Sequence, residues 1–356
     1  MRIVVIGATG NAGSAILAAL ARERPGDSVV GIARRSPTSG TTSAHVEWVP
    51  LDLTCDIAPE QLRSAFRHAD VVIHLAIAFQ PMRDRTYLRK VNVDAVRTVS
   101  SICAETGVAQ LIHMSSGGIY APGAYGIEVD ESWPRTGVPS STYSCDKAAA
   151  EFVLDEFETD HPEVAVARIR PGLIGQYRFG SAVMRYALPD VVPSAIMDHL
   201  PLLPLDRSFA VPAVHSDDVA DAVVRILDRR ASGAYNLGSA VAVRAQDVAK
   251  AFGARIVPVP QRALSLAARV AFDAHLSPVH HGWVDLAFAT PMLNSNRARR
   301  ELEWNPRMDG PEVLHEVVRG MREQAGAGDD ALRQRTTMDR LRSFGRRGFI
   351  SRGKKP

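Results

Sequence analysis

Cysteine is scarce: the chain of 356 residues holds three, at positions 55, 103 and 145. Cys55, Cys103 and Cys145 are too scattered for a disulfide framework. No CxxC or Cys/His pairing builds a zinc site, so a reducing, cytoplasmic setting is expected. Long apolar runs are also missing. The most apolar stretch, Val191 to Leu205, is broken by prolines and by Asp198 and His199, which excludes a membrane span there. Met1-Arg2-Ile3-Val4-Val5-Ile6 runs straight into a glycine turn without a small-residue cleavage site, which argues against a signal peptide. His275, His280 and His281 have no carboxylate or cysteine beside them to complete a metal site. They are expected at the surface or in packing, and no metal is expected.

What is present is ordinary for a globular enzyme-sized chain: 46% hydrophobic and 23% charged residues, with a net charge of +3. The charge is unevenly spread. From Ala331 to Pro356 nine Lys/Arg face one acid, Asp339, so this tail carries +8 and the rest −5. The tail from about Ala325 is expected to be disordered and solubilising. With only Phe344 and Phe349 as aromatics and no recognisable module, it predicts no specific nucleic-acid partner.

Apolar runs and helical patterns alternate. Strands are expected at Arg2–Ile6, Ser28–Ala33, Val46–Val49, Asp70–Ala76, Gln110–Ser115 and Glu163–Arg170, with a further one at Ala234–Leu237. Helices are expected from Ser14 to Arg24, Gln61 to His68, Arg83 to Glu105 and Tyr143 to Glu158, and beyond an N-cap at Asp217. This rhythm predicts an α/β fold with a doubly wound parallel sheet. His74, inside an apolar strand, reads as a satisfied core histidine. Trp304 before Asn305-Pro306 reads as a packing anchor.

Gly7, Gly10 and Gly13 lie between a strand and a helix, the context of a dinucleotide fingerprint. The first glycine permits the tight turn. The second lets backbone approach a pyrophosphate, and the third lets helix and strand pack closely. Where an acid would hold the ribose 2′-hydroxyl, the second strand ends in Ala33 followed by Arg34-Arg35. Arginine pairs with a 2′-phosphate and an acid repels it, so NADP is favoured over NAD. Tyr143 and Lys147 are four apart on one helix face. An ammonium beside a phenol favours the phenolate and predicts a lowered tyrosine pKa, suited to proton transfer at a hydroxyl or carbonyl.

The chain resembles an extended short-chain dehydrogenase/reductase of the sugar-epimerase/dehydratase type. The resemblance rests on the glycine turn, Asp52-Leu53, Asp70–Ala76, Val91-Asn92-Val93, Ser115–Tyr120, the Tyr143/Lys147 pair, Val214–Ala220, Tyr235–Gly238 and Ala298–Pro306, in that order. It runs from residue 1 to about 320. It implies a Rossmann-type NAD(P)-binding domain over 1–175, with a return strand near 234–238. A smaller α/β region over 176–324 would mainly bind substrate, and 325–356 would be the basic tail. By the same resemblance Ser116, Tyr143 and Lys147 are the catalytic set. Thr9, Asn11 and Ala12 join the three glycines, and Arg34, around the phosphates and ribose. Asp52 and Leu53 meet the adenine, and Leu75, Ala76 and Ala78 line the ribose and pyrophosphate. Asn92 lies near the nicotinamide, Lys147 binds its ribose, and Pro171 passes its carboxamide. A homodimer through the long helices is implied as well.

The sequence also departs from that pattern. Arg170–Gly175 has no asparagine of the kind that contacts a nucleotide sugar. Ser116-Gly117-Gly118 stands where dehydratases carry Thr-Asp-Glu. The segment Val183–Leu205 is apolar and rich in proline, which suits a less polar small-molecule substrate. The leading expectation is hydride transfer at a secondary alcohol or ketone carbon. A sugar-nucleotide epimerase and a non-catalytic dinucleotide sensor are the alternatives.

Overall fold

The computed structural model describes residues 1–35, 37, 45–79, 83–123, 126–187, 200–326 and 332. Most of the basic tail, and residues 188–199 of the apolar segment, therefore lie outside the described residues.

In chain order the main elements are β1 (Arg2–Ile6), α1 (Asn11–Glu23), β2 (Ser28–Ala33), β3 (Val46–Pro50), α2 (Ala58–Phe66) and β4 (Val71–His74). Then come α3 (Arg85–Arg89), a π-turn at Lys90–Asp94, α4 (Ala95–Thr106), β5 (Gln110–Met114), α5 (Thr142–Asp160) and β6 (Ala165–Pro171). Beyond these lie α6 (Gly180–Ala187), α7 (Ser216–Arg229), β7 (Gly233–Leu237), α8 (Ala245–Phe252), α9 (Gln261–Asp273), α10 (Gly282–Ala289), α11 (Asn296–Leu302) and α12 (Gly310–Arg322). The seven strands form one parallel sheet in the order β3-β2-β1-β4-β5-β6-β7. This is the doubly wound, Rossmann-type arrangement.

The strand sequences explain why both faces are covered. In β1, Ile3 and Val5 point into one apolar cluster and Val4 and Ile6 into the other. Alternate side chains leave opposite faces of a strand, so an unbroken apolar run requires two covering layers. One layer contains α1 and α7, and the other α2, α4 and α5. Trp304, fully buried, donates its indole N–H to the Asp218 carbonyl at 2.8 Å and anchors the chain after α11 to α7.

Three local expectations change. The helix foreseen from Arg83 to Glu105 is two helices joined by the π-turn, which buries Asn92. The N-cap of α7 is His215, whose Nδ1 accepts from the Asp217 N–H at 3.2 Å, and Asp217 sits in the first turn. His74 is buried and its ring stacks on His113 at 5.4 Å, but none of the four ring nitrogens has a hydrogen-bond partner among the described residues. It is a core histidine, though not a satisfied one. Burial, with Lys147 nearby, pushes its pKa down to about 3.

The smaller region is built on short strand pairs. Leu202–Leu205 runs beside Arg255–Pro258, and Ala210–Val211 beside Val243–Arg244, with α8, α9 and α10 packed around them.

Candidate functional site

β1 delivers its carboxyl end to the glycine turn. Gly7 has φ +82°, and a Cβ there would sit 2.8 Å from the Ala76 nitrogen. A Cβ on Gly13 would sit 2.5 Å from the Gly7 oxygen and 2.6 Å from the Ala8 oxygen. Both glycines are thus required by close backbone approach. Gly10 is the N-cap of α1 and offers no side-chain cap. The first N–H groups of α1 and the positive end of its dipole therefore remain for a phosphate. Thr9 is buried beside them, while Asn11 and Ala12 are partly open. The Asn11 amide donates to the Ile174 carbonyl at 3.0 Å, and its own oxygen accepts from Gln176 at 2.8 Å.

The remaining expected cofactor positions line the same edge of the sheet. Arg34, exposed just after β2, donates to the Tyr87 hydroxyl at 3.3 Å. Asp52 follows β3, and its Oδ1 accepts from the Thr54 N–H and hydroxyl at 2.9 and 2.8 Å, with Leu53 partly buried beside it. Leu75, Ala76 and Ala78 continue from β4. Asn92 lines the cavity beside Tyr143 with its polar atoms engaged by protein. Its oxygen accepts from the Ala78 N–H at 2.8 Å, and its nitrogen donates to the Ala78 oxygen at 3.0 Å and to Asp146 at 3.4 Å. The amide is occupied by protein, so Asn92 fixes the loop after β4 rather than presenting its polar atoms to a ligand. Pro171 is buried at the end of β6, opposite Leu237.

Ser116 and Tyr143 meet because the start of α5 is tied to the loop after β5. The Ser144 hydroxyl donates to the Gly118 carbonyl at 2.5 Å and accepts from the Val138 N–H at 2.7 Å. Ser116 accepts from the Gly118 N–H at 3.0 Å, and its hydroxyl and the Tyr143 ring stand 3.2 and 3.5 Å from where a Cβ on Gly118 would be. Lys147, buried one helical turn on, donates to the Met114 carbonyl at 2.5 Å. Burial raises the Tyr143 pKa and the nearby Ser116 hydroxyl lowers it, and the net shift is upward. This reverses the direction expected from the Tyr/Lys spacing. The Lys147 ammonium is turned to the Met114 carbonyl, and it is not among the groups acting on the phenol. Burial in turn lowers Lys147 itself to about 8, against the pull of Glu151.

Below these residues lies a buried polar floor. Glu151 accepts from Arg170 at 2.9 and 2.5 Å, from Ser115 at 2.5 Å and from Arg135 at 3.0 Å. Arg170 also bonds the Tyr120 hydroxyl at 3.0 Å, which donates to Asn236 at 2.6 Å. Tyr120 is raised to about 12, chiefly by burial, so it stays neutral.

A cavity of about 240 Å³ opens beside Tyr143, and its walls include Phe79, Arg83, Arg85, Phe272, His280 and Trp283. The Tyr143 ring stacks on Trp283 at 4.9 Å and on Phe79 at 5.6 Å. Of the apolar segment 183–205 expected to line a substrate, Tyr186 stands edge-on to Phe79 at 6.0 Å. The other wall residues come from separate stretches around 79–92, 141–143 and 272–283. Their apolar spacing reads as ordinary helix packing, and only the fold brings them together.

A family described as the NAD dependent epimerase/dehydratase family matches residues 3–238. An uncharacterized protein of Mycobacterium tuberculosis is 28% identical over 331 residues, covering 92% of this chain and 31% of the relative, so the chain spans about a third of that protein's length. Among solved structures, the chain is similar to a UDP-glucose 4-epimerase of Thermus thermophilus complexed with NAD, at TM-score 0.67 and 21% identity over 90% of this chain and 99% of that one. It is also similar to a UDP-glucose 4-epimerase of Thermotoga maritima with UDP-glucose, at TM-score 0.67 and 16% identity over 91% and 99%. At such identities the likeness to these structures concerns the fold.

Proposed function

The chain belongs to the NAD dependent epimerase/dehydratase family, and from that premise we propose an NAD(P)-dependent oxidoreductase acting at a secondary alcohol or ketone carbon through Ser116, Tyr143 and Lys147. The observation that carries the reading is that the Ser116 hydroxyl and the Tyr143 ring flank Gly118, 3.2 and 3.5 Å from where its Cβ would stand, at the carboxyl edge of the sheet, where ligands of open α/β folds bind. The glycine turn, with backbone where any Cβ would clash and an uncapped α1 above it, fits a dinucleotide. Such a cofactor, when bound, supplies or accepts the hydride. Tyr143 holds the proton that passes to or from the substrate oxygen. Its raised pKa keeps the phenol protonated at neutral pH, which suits it to act as the acid in carbonyl reduction. Ser116 supplies a further hydrogen bond where alkoxide charge develops. Lys147, buried and partly protonated near neutrality, provides a fixed cation for ribose hydroxyls. Arg34, with no acid at the end of β2, supports NADP over NAD.

The test is direct. The purified chain should bind NADPH or NADH, and Tyr143→Phe should lower turnover by about 100-fold or more while leaving that binding unchanged. Binding of neither cofactor, or full turnover by the variant, overturns the reading. Tight binding with no redox change across a broad panel would mark the chain as a sensor.

A second reading, a sugar-nucleotide epimerase, is favoured by a separate cleft of about 220 Å³ lined by Arg207, Ser208, Arg244 and Gln246. Two arginines suit a diphosphate. Release of both sugar epimers from one UDP-sugar would select it. For either reading the exposed Phe152 on α5 supports a homodimer contact through that helix, which light scattering tests.

A further inference from the structure

We propose that the cavity beside Tyr143 takes a flat, apolar hydroxy or keto acid, with its ring against the aromatic wall and its carboxylate at Arg85. The proposal rests on the oxidoreductase reading for the role of Tyr143 and adds the class of ligand.

Three observations carry it. The first is the wall. Phe79, Tyr143 and Trp283 pack ring against ring at 4.9 to 5.7 Å, and Phe272 closes the far side. Stacked faces of this kind accept a flat apolar group with gain beyond its buried area. The second is the charge. Among the described residues lining the cavity there are two arginines and a histidine but no aspartate or glutamate. Arg83 is committed to Phe272, whose ring it covers at 3.9 Å and whose carbonyl it bonds. Arg85 is exposed at the rim. Burial lowers the His280 pKa, with His281 and Arg85 adding to it and Asp273 and Asp285 opposing, so the imidazole is neutral and Arg85 is the cation at the rim that an anion would meet.

The third observation concerns sugar. A sugar ring needs several donors and acceptors, and a site that leaves hydroxyls unpaired loses the binding they would give. Among the described residues the one carboxamide on the cavity wall is Asn92, and its polar atoms are taken by Ala78 and Asp146. Ser141 is buried, with its hydroxyl capping α5. The lining is thus matched to rings and a carboxylate, and poorly matched to a polyol. The size agrees, since about 240 Å³ is small for a ligand pocket and suits a single ring with a short acid side chain.

The experiment is equilibrium binding to the full chain by calorimetry, without and with saturating NADPH. The probes are 3-phenyllactate, its methyl ester, lactate and UDP-glucose. 3-Phenyllactate should bind about 10-fold or more tighter than the ester, as a charge-assisted bond to arginine requires. It should exceed lactate by a similar factor of about 10, from the ring. Arg85→Gln should erase the acid–ester difference, and Arg85→Lys should restore part of it. Trp283→Leu should reduce the phenyllactate–lactate difference. Equal binding of acid and ester by the wild type overturns the proposal. So does an undiminished acid preference in Arg85→Gln, or UDP-glucose displacing phenyllactate as the tighter ligand. NADPH is titrated alone as a separate arm. Loss of that signal defeats the oxidoreductase reading and leaves the ligand preference standing.

Discussion

Gly13 leaves no room for a methyl group, since a Cβ would meet two carbonyl oxygens of the turn at 2.5 and 2.6 Å. Both are backbone atoms and cannot rotate away. Gly13→Ala should therefore destabilise the fold by about 1–3 kcal/mol through overpacking, despite alanine's better helix propensity. It should also weaken NADPH binding by about 10-fold or more, because the turn that carries the phosphates must shift. Urea denaturation and a cofactor titration read the two effects, and wild-type behaviour in both would refute the role assigned to Gly13. Lys147 gives a prediction in pH. Its folded pKa falls from the ordinary 10.5 to about 8. Between those values the unfolded chain holds a proton that the folded chain has released. Stability contributed by this group therefore rises with pH across that window. On the proposed function cofactor affinity should move oppositely, because the cation assigned to the ribose is lost above pH 8. Lys147→Met should flatten both slopes. Parallel slopes of stability and affinity in the wild type would contradict the placement of that charge.

At the scale of elements, α5 is held to the sheet by charge as well as by apolar packing. Glu151 on α5 is fully buried and meets Arg170 of β6, itself 3% exposed. Arg170→Met removes the better-buried of two cations and leaves the carboxylate to Arg135 and Ser115, which should cost about 3 kcal/mol in urea denaturation. Adding Glu151→Gln should recover much of that loss, since the under-compensated charge then disappears. A double variant as unstable as the single one would assign the cost to packing. The Glu151 pKa is held below its usual value by Arg170 and Ser115, with burial opposing them. This group's stabilisation is therefore present above the ordinary carboxylate range and lost as pH falls through the lowered value. The strands that carry this floor were legible in the sequence, because each is a short apolar run bounded by turn residues. The glycine turn was legible because its spacing follows from backbone geometry alone. The break between α3 and α4 was not. The π-turn exists to bury Asn92 against Ala78 and Asp146, and those partners are far off in sequence. The cap of α7 was misread for a related reason. Asp is the better capping residue by type, yet the backbone turns two residues earlier, at His215. The Tyr143 shift was misread because spacing gives the helix face but not the direction in which the lysine turns.

On the scale of the whole molecule, the two sides of the cavity belong to parts of the chain that must be held in register. Tyr143 lies on α5, which packs on the parallel sheet, whereas Phe272 and Trp283 come from α9 and α10. The long C-terminal helix α12 packs on α6, α8 and the short strands around Gly175 and His215, and so bridges the sheet side to the smaller region. Its closest approach is backbone on backbone. A Cβ on Gly320 would sit 2.0 Å from the Tyr177 oxygen, and one on Gly180 would sit 2.1 Å from the Gly320 carbonyl carbon. The contact is extended by Ser181, which donates its N–H to the Ala325 carbonyl at 3.0 Å and its hydroxyl to that of Gln324 at 2.7 Å. The segment held in this way leads directly into Tyr186, which stands against Phe79 at the cavity. Gly320→Ala would gain about 1 kcal/mol of helix propensity on an open surface. Here the methyl group has no space, so α12 must lift from residues 177–181, and overpacking of about 1–3 kcal/mol outweighs that gain. The expected result is a melting temperature lower by a few degrees, about 2–4 °C for each kcal/mol lost in a domain of this size class. Tyr186 and Phe79 should loosen with it, weakening binding of an aromatic acid. NADPH affinity should fall less than acid affinity, because the glycine turn reaches this contact only through the side-chain bonds of Asn11 and Gln176. An unchanged melting temperature would show that α12 is not tightly docked. A loss of NADPH binding as large as the loss of acid binding would show that the damage is global rather than confined to the seam.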